Sequence, residues 1–452
     1  IQNFEKAQIY AEKANKIRSD SHRKQLLGLI CYEKYLYKEA YTYIFKAYKE
    51  RPNDDIICSN LGMILKAQGS YKKSEYYLKK AIKLNPNRES AHVTLGALLI
   101  NSGKIKDAKK HLIEATKINP NLGTCFYSLS NMRDCLEEKG IIEKILDTNI
   151  DNIQSKKEKI NFYFAKANIY HRQKNYKESS KNYKIANDMK LNLFPSDINS
   201  FLSESDEMYQ KSKNLIANKD FSPHKINAIF IVGMPRSGST LLQSIITMNN
   251  NVQDMGESLL LFDSFQEFNN IKNSNVKYSL SQIYSNKIFN TDFKKTITCN
   301  KQLYNFSLIP FICSEFSSAR IINIYRNPMD NILSIYRANF ANKNYYSSSI
   351  LDIAYFIKDY QRRMKGYNIR FSKYIYNVNY DELVKSPEKA IPSLIKWLHW
   401  EWRENYLSPH LNKRTIKTAS NIEARNIINS NSLEGWKNYK KLLMPAIEVF
   451  KN

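Results

Sequence analysis

A period of 34 residues in the first third of the chain limits its fold more than any other feature. Gly28, Gly62 and Gly96 stand 34 apart, and Leu27, Leu61 and Leu95 keep the same interval. Ala40, Ser74 and Ala108, Ile44, Leu78 and Leu112, and Ala47, Ala81 and Ala115 hold the register, as do Pro52, Pro86 and Pro120. Self-similarity at this period marks a stack of small helical units, because one unit alone cannot bury its apolar face. In the second unit Leu61, Gly62 and Leu65 fall on one helical face. Gly62 lets a neighbouring helix approach closely. Gln68-Gly69-Ser70 turns the chain, and Ser74, Leu78 and Ala81 form the inner stripe of a second helix. Asn85-Pro86 stops it, since proline cannot continue a helix and restricts the residue before it.

At these positions the units resemble the tetratricopeptide repeat. A further unit is expected at Ile160–Leu193, carried by Ala167, Tyr170, Tyr176, Ser179, Tyr183 and Ala186. Asn121–Asp151 keeps the helical pattern without the in-register Gly and Pro and reads as degenerate. Phe4, Ala7, Ala11 and Ala14 read as the second helix of a truncated unit. The expected division is a helical array over residues 1–195, a partly helical connecting segment over 196–225, and an α/β domain over 226–452. Such an array implies a surface for a protein partner or for self-association.

Ala228–Val232 is a short, unbroken apolar run, the mark of a strand buried on both faces. It leads into Gly233-Met234-Pro235-Arg236-Ser237-Gly238-Ser239-Thr240 and then the apolar helix start Leu241-Leu242. Strand, glycine-bounded loop and helix converge backbone N–H groups on an anion. The spacing is that of the nucleoside-triphosphate loop, but Ser239 stands where that loop has its lysine. Arg236 offers the counter-charge instead, which suits a phosphosulfate. A second apolar run, Ala319–Tyr325, ends at Arg326-Asn327-Pro328 and a helix holding Ser334, Arg337 and Phe340. A nucleoside triphosphatase more often has an aspartate there for Mg²⁺. Arginine and serine suit a second phosphate on the same nucleotide. Two anion sites without a visible metal requirement point to 3′-phosphoadenosine 5′-phosphosulfate (PAPS).

Pro235–Thr240 resembles the 5′-phosphosulfate loop of sulfotransferases, and Tyr325–Pro328 through Ser334 resembles their 3′-phosphate motif. The resemblance runs from about Lys225 to Asn452. The order of domains is similar to bacterial sulfotransferases with N-terminal tetratricopeptide repeats, and several blocks are similar to tyrosylprotein sulfotransferases. This implies a P-loop-like parallel sheet flanked by helices. It implies Glu257 as catalytic base, with Lys301 and Arg236 as further catalytic residues. Arg236, Ser237, Gly238, Ser239, Thr240, Arg326, Ser334, Tyr380, Ser420 and Asn429 are the implied donor-binding residues, with Trp436 closing the last block. The family usually has Lys or Arg before that tryptophan. Gly435 stands there in this chain, with Lys437 or Arg425 as candidate substitutes. Some relatives use a histidine base, but none occurs between His224 and His399, so a carboxylate is expected. Asp254 is the nearest competitor to Glu257. Trp397, Trp400 and Trp402 are expected to pack the C-terminal helix.

Composition narrows the remaining classes. Sixty-nine basic against 43 acidic residues give +26, a field that attracts polyanions and acidic peptides. The lysines are spread through a chain rich in Asn, Ile and Tyr, and no nucleic-acid motif interrupts them, so no nucleic-acid partner is expected. Six cysteines without a CxxC pair support neither zinc nor redox chemistry; they fit a reducing compartment, the cytoplasm by default. No metal is expected, and no apolar run reaches the 18 residues of a membrane span. Gly and Pro at 12 each disfavour a turn-rich all-β fold. Two other readings stay open: a P-loop nucleotide kinase or ATPase, and a repeat scaffold with a degenerate catalytic domain. The hydroxyl acceptor is a peptide tyrosine, a glycan or a small alcohol.

Overall fold

The computed structural model describes residues 6–451 apart from 8, 14–19, 133, 218–226, 272–277, 290–294, 341–343, 417 and 419. Contacts divide the chain into two compact units, Ile1–Gln173 and Lys174–Asn452.

The first unit is the helical array that the period predicts. Its in-phase pairs are Ser21–Glu33 with Tyr37–Glu50, Asp55–Ala67 with Tyr71–Leu84, and Glu89–Asn101 with Ile105–Ile118. The repeated glycine has a steric cause. A Cβ added to Gly62 would lie 2.5 Å from Leu78 Cγ, and one added to Gly96 would lie 2.8 Å from Leu112. The second helix of each pair therefore seats its inner leucine on the first helix's backbone. Ser74 Oγ reinforces the seat by donating to the Gly62 carbonyl at 2.6 Å. Asp54 starts its helix by accepting from the backbone N–H groups of Ile56 and Ile57. Among the residues read as a truncated unit, Ala11 is buried against Leu27 and Ile30. Phe4 and Ala14 lie outside the described residues.

The degenerate stretch holds a shortened helix, Gly123–Ser130, then Lys139–Asp147. Phe126 packs on Phe162 of the helix Lys156–Arg172, ring centroids 5.0 Å apart. The helix pair expected at Ile160–Leu193 thus splits, one member in each unit. Tyr176–Leu193 packs within the second unit, where Ser179 Oγ lies 2.8 Å from Tyr439 Oη and Asn187 Nδ2 donates to the Tyr336 carbonyl at 3.0 Å. Ile198–Lys211, within the stretch read as connecting, also packs there. Its Asp206 pairs with the buried Arg363 at 2.8 Å, and Asp359 takes the same guanidinium at 2.7 Å. Repeat periodicity alone does not report which unit such a helix joins.

The second unit is built on five parallel strands: β1 (Asn227–Gly233), β2 (Val252–Gly256), β3 (Ile297–Asn300), β4 (Arg320–Tyr325) and β5 (Ile375–Asn379). Their order is β2-β3-β1-β4-β5. Ile229, Ile231, Ile322 and Ile324 pack with Leu242, Ile245 and Ile246 of the helix Ser239–Ile246 on one face. On the other, Phe230 meets Tyr284 and Phe316. Burial on both faces explains why β1 and β4 read as continuous apolar runs. The tryptophans depart from expectation. Trp397 and Trp400 pack on this sheet cluster and Trp402 meets Tyr406, because the helix Pro387–Trp397 lies beside β5; the C-terminal helix lies elsewhere. Among the described residues no helix is long and apolar enough to cross a membrane.

Gly62→Ala is predicted to destabilise the protein by about 1–3 kcal/mol through overpacking against Leu78. Chemical denaturation followed by circular dichroism checks it.

Candidate active site

The chain passes from β1 to β2 on one side and reaches β4 on the other. In parallel sheets this switch point opens a crevice at the strands' C-terminal ends. The loop after β1 fills it. Arg236 adopts a left-handed φ of 64°, a rare conformation for a residue with a side chain, and Gly238 a φ of 94°. A Cβ at Gly238 would lie 2.1 Å from Tyr380 Cδ2, so this position requires glycine for space as well as for φ. Gly238 is the N-cap of the helix Ser239–Ile246, with no side-chain cap bond, which leaves the first-turn N–H groups for a ligand. Asn331 Nδ2 donates to the Pro235 carbonyl at 2.7 Å and fastens the loop to the helix Pro328–Tyr336. Ser237 Oγ is buried and without a hydrogen-bond partner. Ser239 and Thr240 are buried, with Thr240 Oγ1 3.0 Å from Thr418 Oγ1.

Arg236 joins residues that the sequence holds in separate blocks. Its Nε donates to Ser334 Oγ at 3.2 Å, Nη1 donates to Ser420 Oγ, and Nη2 pairs with Glu423 Oε1 at 2.8 Å. Arg326, just past β4, is 7% exposed. Its Nη2 donates to the Ser432 carbonyl at 3.0 Å, and its guanidinium lies 4.8 Å from the Tyr380 ring centroid. Its Nε is buried without a partner. Tyr380 Oη reaches Ser432 Oγ at 3.1 Å, so Tyr380 packs between Gly238, Arg326 and the late segment.

Glu257 follows β2 and Lys301 follows β3. Lys301 N–H donates to the Gly256 carbonyl at 2.8 Å, which holds the two strand ends together. Lys301 Nζ forms an ion pair with Glu257 Oε1. The two differ in burial: the Lys301 side chain is 1% exposed and that of Glu257 51%. Burial pushes the Lys301 ammonium below the ordinary lysine range, and the Glu257 carboxylate opposes that shift. Asp254 has a different setting. It accepts from Gln243 Nε2 at 2.6 Å and Gly256 N–H at 2.9 Å, and pairs with Arg414 at 2.9 Å. Its lone pairs are committed to structure, whereas Glu257 presents a carboxylate edge to solvent.

Asn429 is exposed and makes local turn bonds, donating to the Ile427 carbonyl at 2.9 Å and accepting from Asn431 N–H at 3.2 Å. Lys437 pairs with Glu434 at 2.8 Å, and Arg425 donates to the Arg414 carbonyl at 3.1 Å. Asp330 holds the Gly435 turn by accepting from the N–H groups of Glu434 at 2.8 Å and Trp436 at 3.0 Å. Burial pushes the Asp330 carboxyl up despite those two donors. Sequence reasoning missed Arg414, Glu423, Asp330, Asn331 and Ser432. Asp330 and Asn331 carry a signal, being adjacent polar residues on a short, mainly apolar helix; the others carry none. Among the described residues no group of three or more His, Cys, Asp or Glu is placed to hold a metal.

Comparison with known proteins finds two family models that match parts of the chain. Residues 228–404 match the sulfotransferase family model, and residues 65–122 the tetratricopeptide repeat model. An uncharacterized protein of Aquifex aeolicus (strain VF5) is 28% identical over 247 residues, covering 49% of this chain and 32% of that protein. A "Putative protein-tyrosine sulfotransferase" of Caenorhabditis briggsae is 24% identical over 236 residues, covering 46% of this chain and 80% of the relative. The sulfotransferase domain from the curacin biosynthetic pathway aligns at 17% identity with a TM-score of 0.37, over 49% of this chain and 95% of the domain.

Asn331→Ala strands the Pro235 carbonyl. A loss of about 1–3 kcal/mol is expected from the unpaired buried group, measured by denaturant titration.

Proposed function

We propose that this chain, whose second half is a sulfotransferase-family domain following tetratricopeptide repeats, transfers a sulfuryl group from PAPS to a hydroxyl acceptor. The observation that carries the reading is the pair of arginines, Arg236 and Arg326, at the ends of the adjacent strands β1 and β4. Burying a guanidinium without an anion is costly; Arg236 meets the carboxylate of Glu423, whereas Arg326 donates to the backbone carbonyls of Arg236 and Ser432. Arg326 Nε and Ser237 Oγ are buried polar atoms still lacking partners, and the uncapped helix start beside them adds N–H donors. These groups fit a nucleotide bearing two separate anionic ends. Arg236, Ser237, Gly238, Ser239 and Thr240 would hold the 5′-phosphosulfate end. Arg326 and Ser334 would hold the 3′-phosphate, with Tyr380 and Ser420 beside them. The bound donor supplies an activated sulfuryl group on a good leaving group.

The chain's own residues supply position and charge. Glu257 accepts the proton of the acceptor hydroxyl on its solvent-facing carboxylate oxygen. Lys301, ion-paired through Oε1, fixes that carboxylate and brings a cation to where negative charge develops. The Arg236 fork and the Ser239 and Thr240 hydroxyls orient the sulfuryl oxygens. The strongly basic surface suits an acidic acceptor peptide, among the hydroxyl acceptors the family uses.

Three measurements test this. 3′-Phosphoadenosine 5′-phosphate, the desulfated product, should raise the melting temperature. At about 100 times its dissociation constant the stabilisation is roughly 2.7 kcal/mol. A response to ATP with magnesium alone would instead favour a P-loop kinase or ATPase. Glu257→Gln should lower turnover by about 10²–10⁴ while leaving bisphosphate binding intact; undiminished turnover removes Glu257 as the base. Lys301 acts as a cation, so activity is present below its folded pKa and lost as pH rises through it. The alkaline limb of kcat/KM should therefore fall below the ordinary lysine value of about 10.4, and Lys301→Arg should move it upward.

A further inference from the structure

Arg414, Thr418 and residues 420–436 lie against the phosphate loop as a strap fastened at both ends. At its start Arg414, with a side chain 9% exposed, pairs with Asp254 at 2.9 Å and donates to Ser244 Oγ at 3.1 Å and the Thr240 carbonyl at 3.2 Å. At its far end Asp330 accepts from Glu434 and Trp436, and Arg326 donates to the Ser432 carbonyl. Between these anchors the strap meets the loop through Thr418, Ser420 and Glu423. The Glu423 contact is of a different kind. Its side chain is 62% exposed, yet its carboxylate reaches down to an Arg236 guanidinium only 14% exposed. It can let go without releasing either anchor.

We propose that Glu423 is a resident counter-anion on Arg236, exchanged for the anionic end of the incoming donor. This rests on the reading of the Arg236 loop as a phosphosulfate site. A carboxylate and a sulfuryl or phosphoryl group compete for the same guanidinium N–H donors. The exchange keeps the buried arginine compensated throughout. It weakens donor binding and favours release of the desulfated nucleotide, because a tethered anion stands ready to return. Glu423 therefore sets donor affinity as a positioning residue and takes no part in bond making.

Calorimetric titration of the full chain with 3′-phosphoadenosine 5′-phosphate, and competition with inorganic sulfate, tests the exchange. Glu423→Gln keeps the side chain's size and removes its charge. It should bind both anions about 1.4- to 5-fold tighter, the range of an exposed ion pair, and the gain should shrink as salt is raised. A merely structural contact would lower stability and leave both affinities unchanged or weaker, and that result overturns the proposal. If the variant gains for sulfate while neither protein binds the bisphosphate, the exchange stands and the PAPS reading falls. Failure of both proteins to bind either anion overturns both.

Discussion

Two guanidinium groups at the ends of adjacent strands are the constraint around which the second unit is arranged. Arg236 and Arg326 cannot be withdrawn from water without partners, and their partners come from the whole length of the unit. Ser334 arrives from the helix after β4, Tyr380 from the end of β5, and Ser420, Glu423 and Ser432 from the strap. The glycines follow from the same demand. Gly238 must lack a side chain because the Tyr380 ring that faces Arg326 lies against its backbone. A loop with a lysine at the Ser239 position would carry its charge at the helix start. Here the charge sits three residues earlier, on a residue in left-handed conformation that aims across the crevice.

The pairing of Lys301 with Glu257 shows how burial divides labour within one ion pair. A lysine 1% exposed loses nearly all its hydration, and only a fixed anion can offset that loss. Glu257 thereby becomes fixed through Oε1 while its other edge stays in solvent. The arrangement holds a carboxylate still while its outer edge stays in water. Asp254, nearby in sequence, is spent on Gln243, Gly256 and Arg414. Hydrogen bonds thus set the two carboxylates apart.

What the sequence revealed follows from how local each signal is. The 34-residue period is repeated three times in register, and its glycines share one steric cause, so the helix pairs and their glycines were legible. The loop after β1 was legible because strand, turn and helix are contiguous. The strap was not. Arg414 lies 160 residues from Asp254, and Glu423 lies 187 from Arg236; a lone charge at such separation looks like any solvated surface residue in a chain with 112 charged side chains. Asn429, matched by family pattern, makes only turn bonds among those observed, since pattern reports chain position and not side-chain direction. The tryptophans were misplaced for a related reason: large aromatics near a terminus announce burial without naming the surface that buries them.

The same limit accounts for the helix Tyr176–Leu193, and its actual role is the more informative. Its small and aromatic residues follow repeat spacing, yet they build a wall behind the helix Pro328–Tyr336. Arg337 caps that helix and donates from Nε to Tyr183 Oη at 3.2 Å, with its guanidinium facing the Tyr183 and Tyr439 rings at 5.7 and 6.0 Å. Tyr439 in turn bonds Ser179. Asn187 takes the Tyr336 carbonyl at the helix's last turn. The far end of that helix is capped by Asn327. With both ends satisfied, Ser334 and Asn331 are held at fixed positions along a rigid rod, one on the Arg236 side chain and one on the Pro235 carbonyl. A loop strained at Arg236 keeps its geometry only where its surroundings over-determine it, and this helix, braced by aromatic packing remote from the crevice, supplies that constraint.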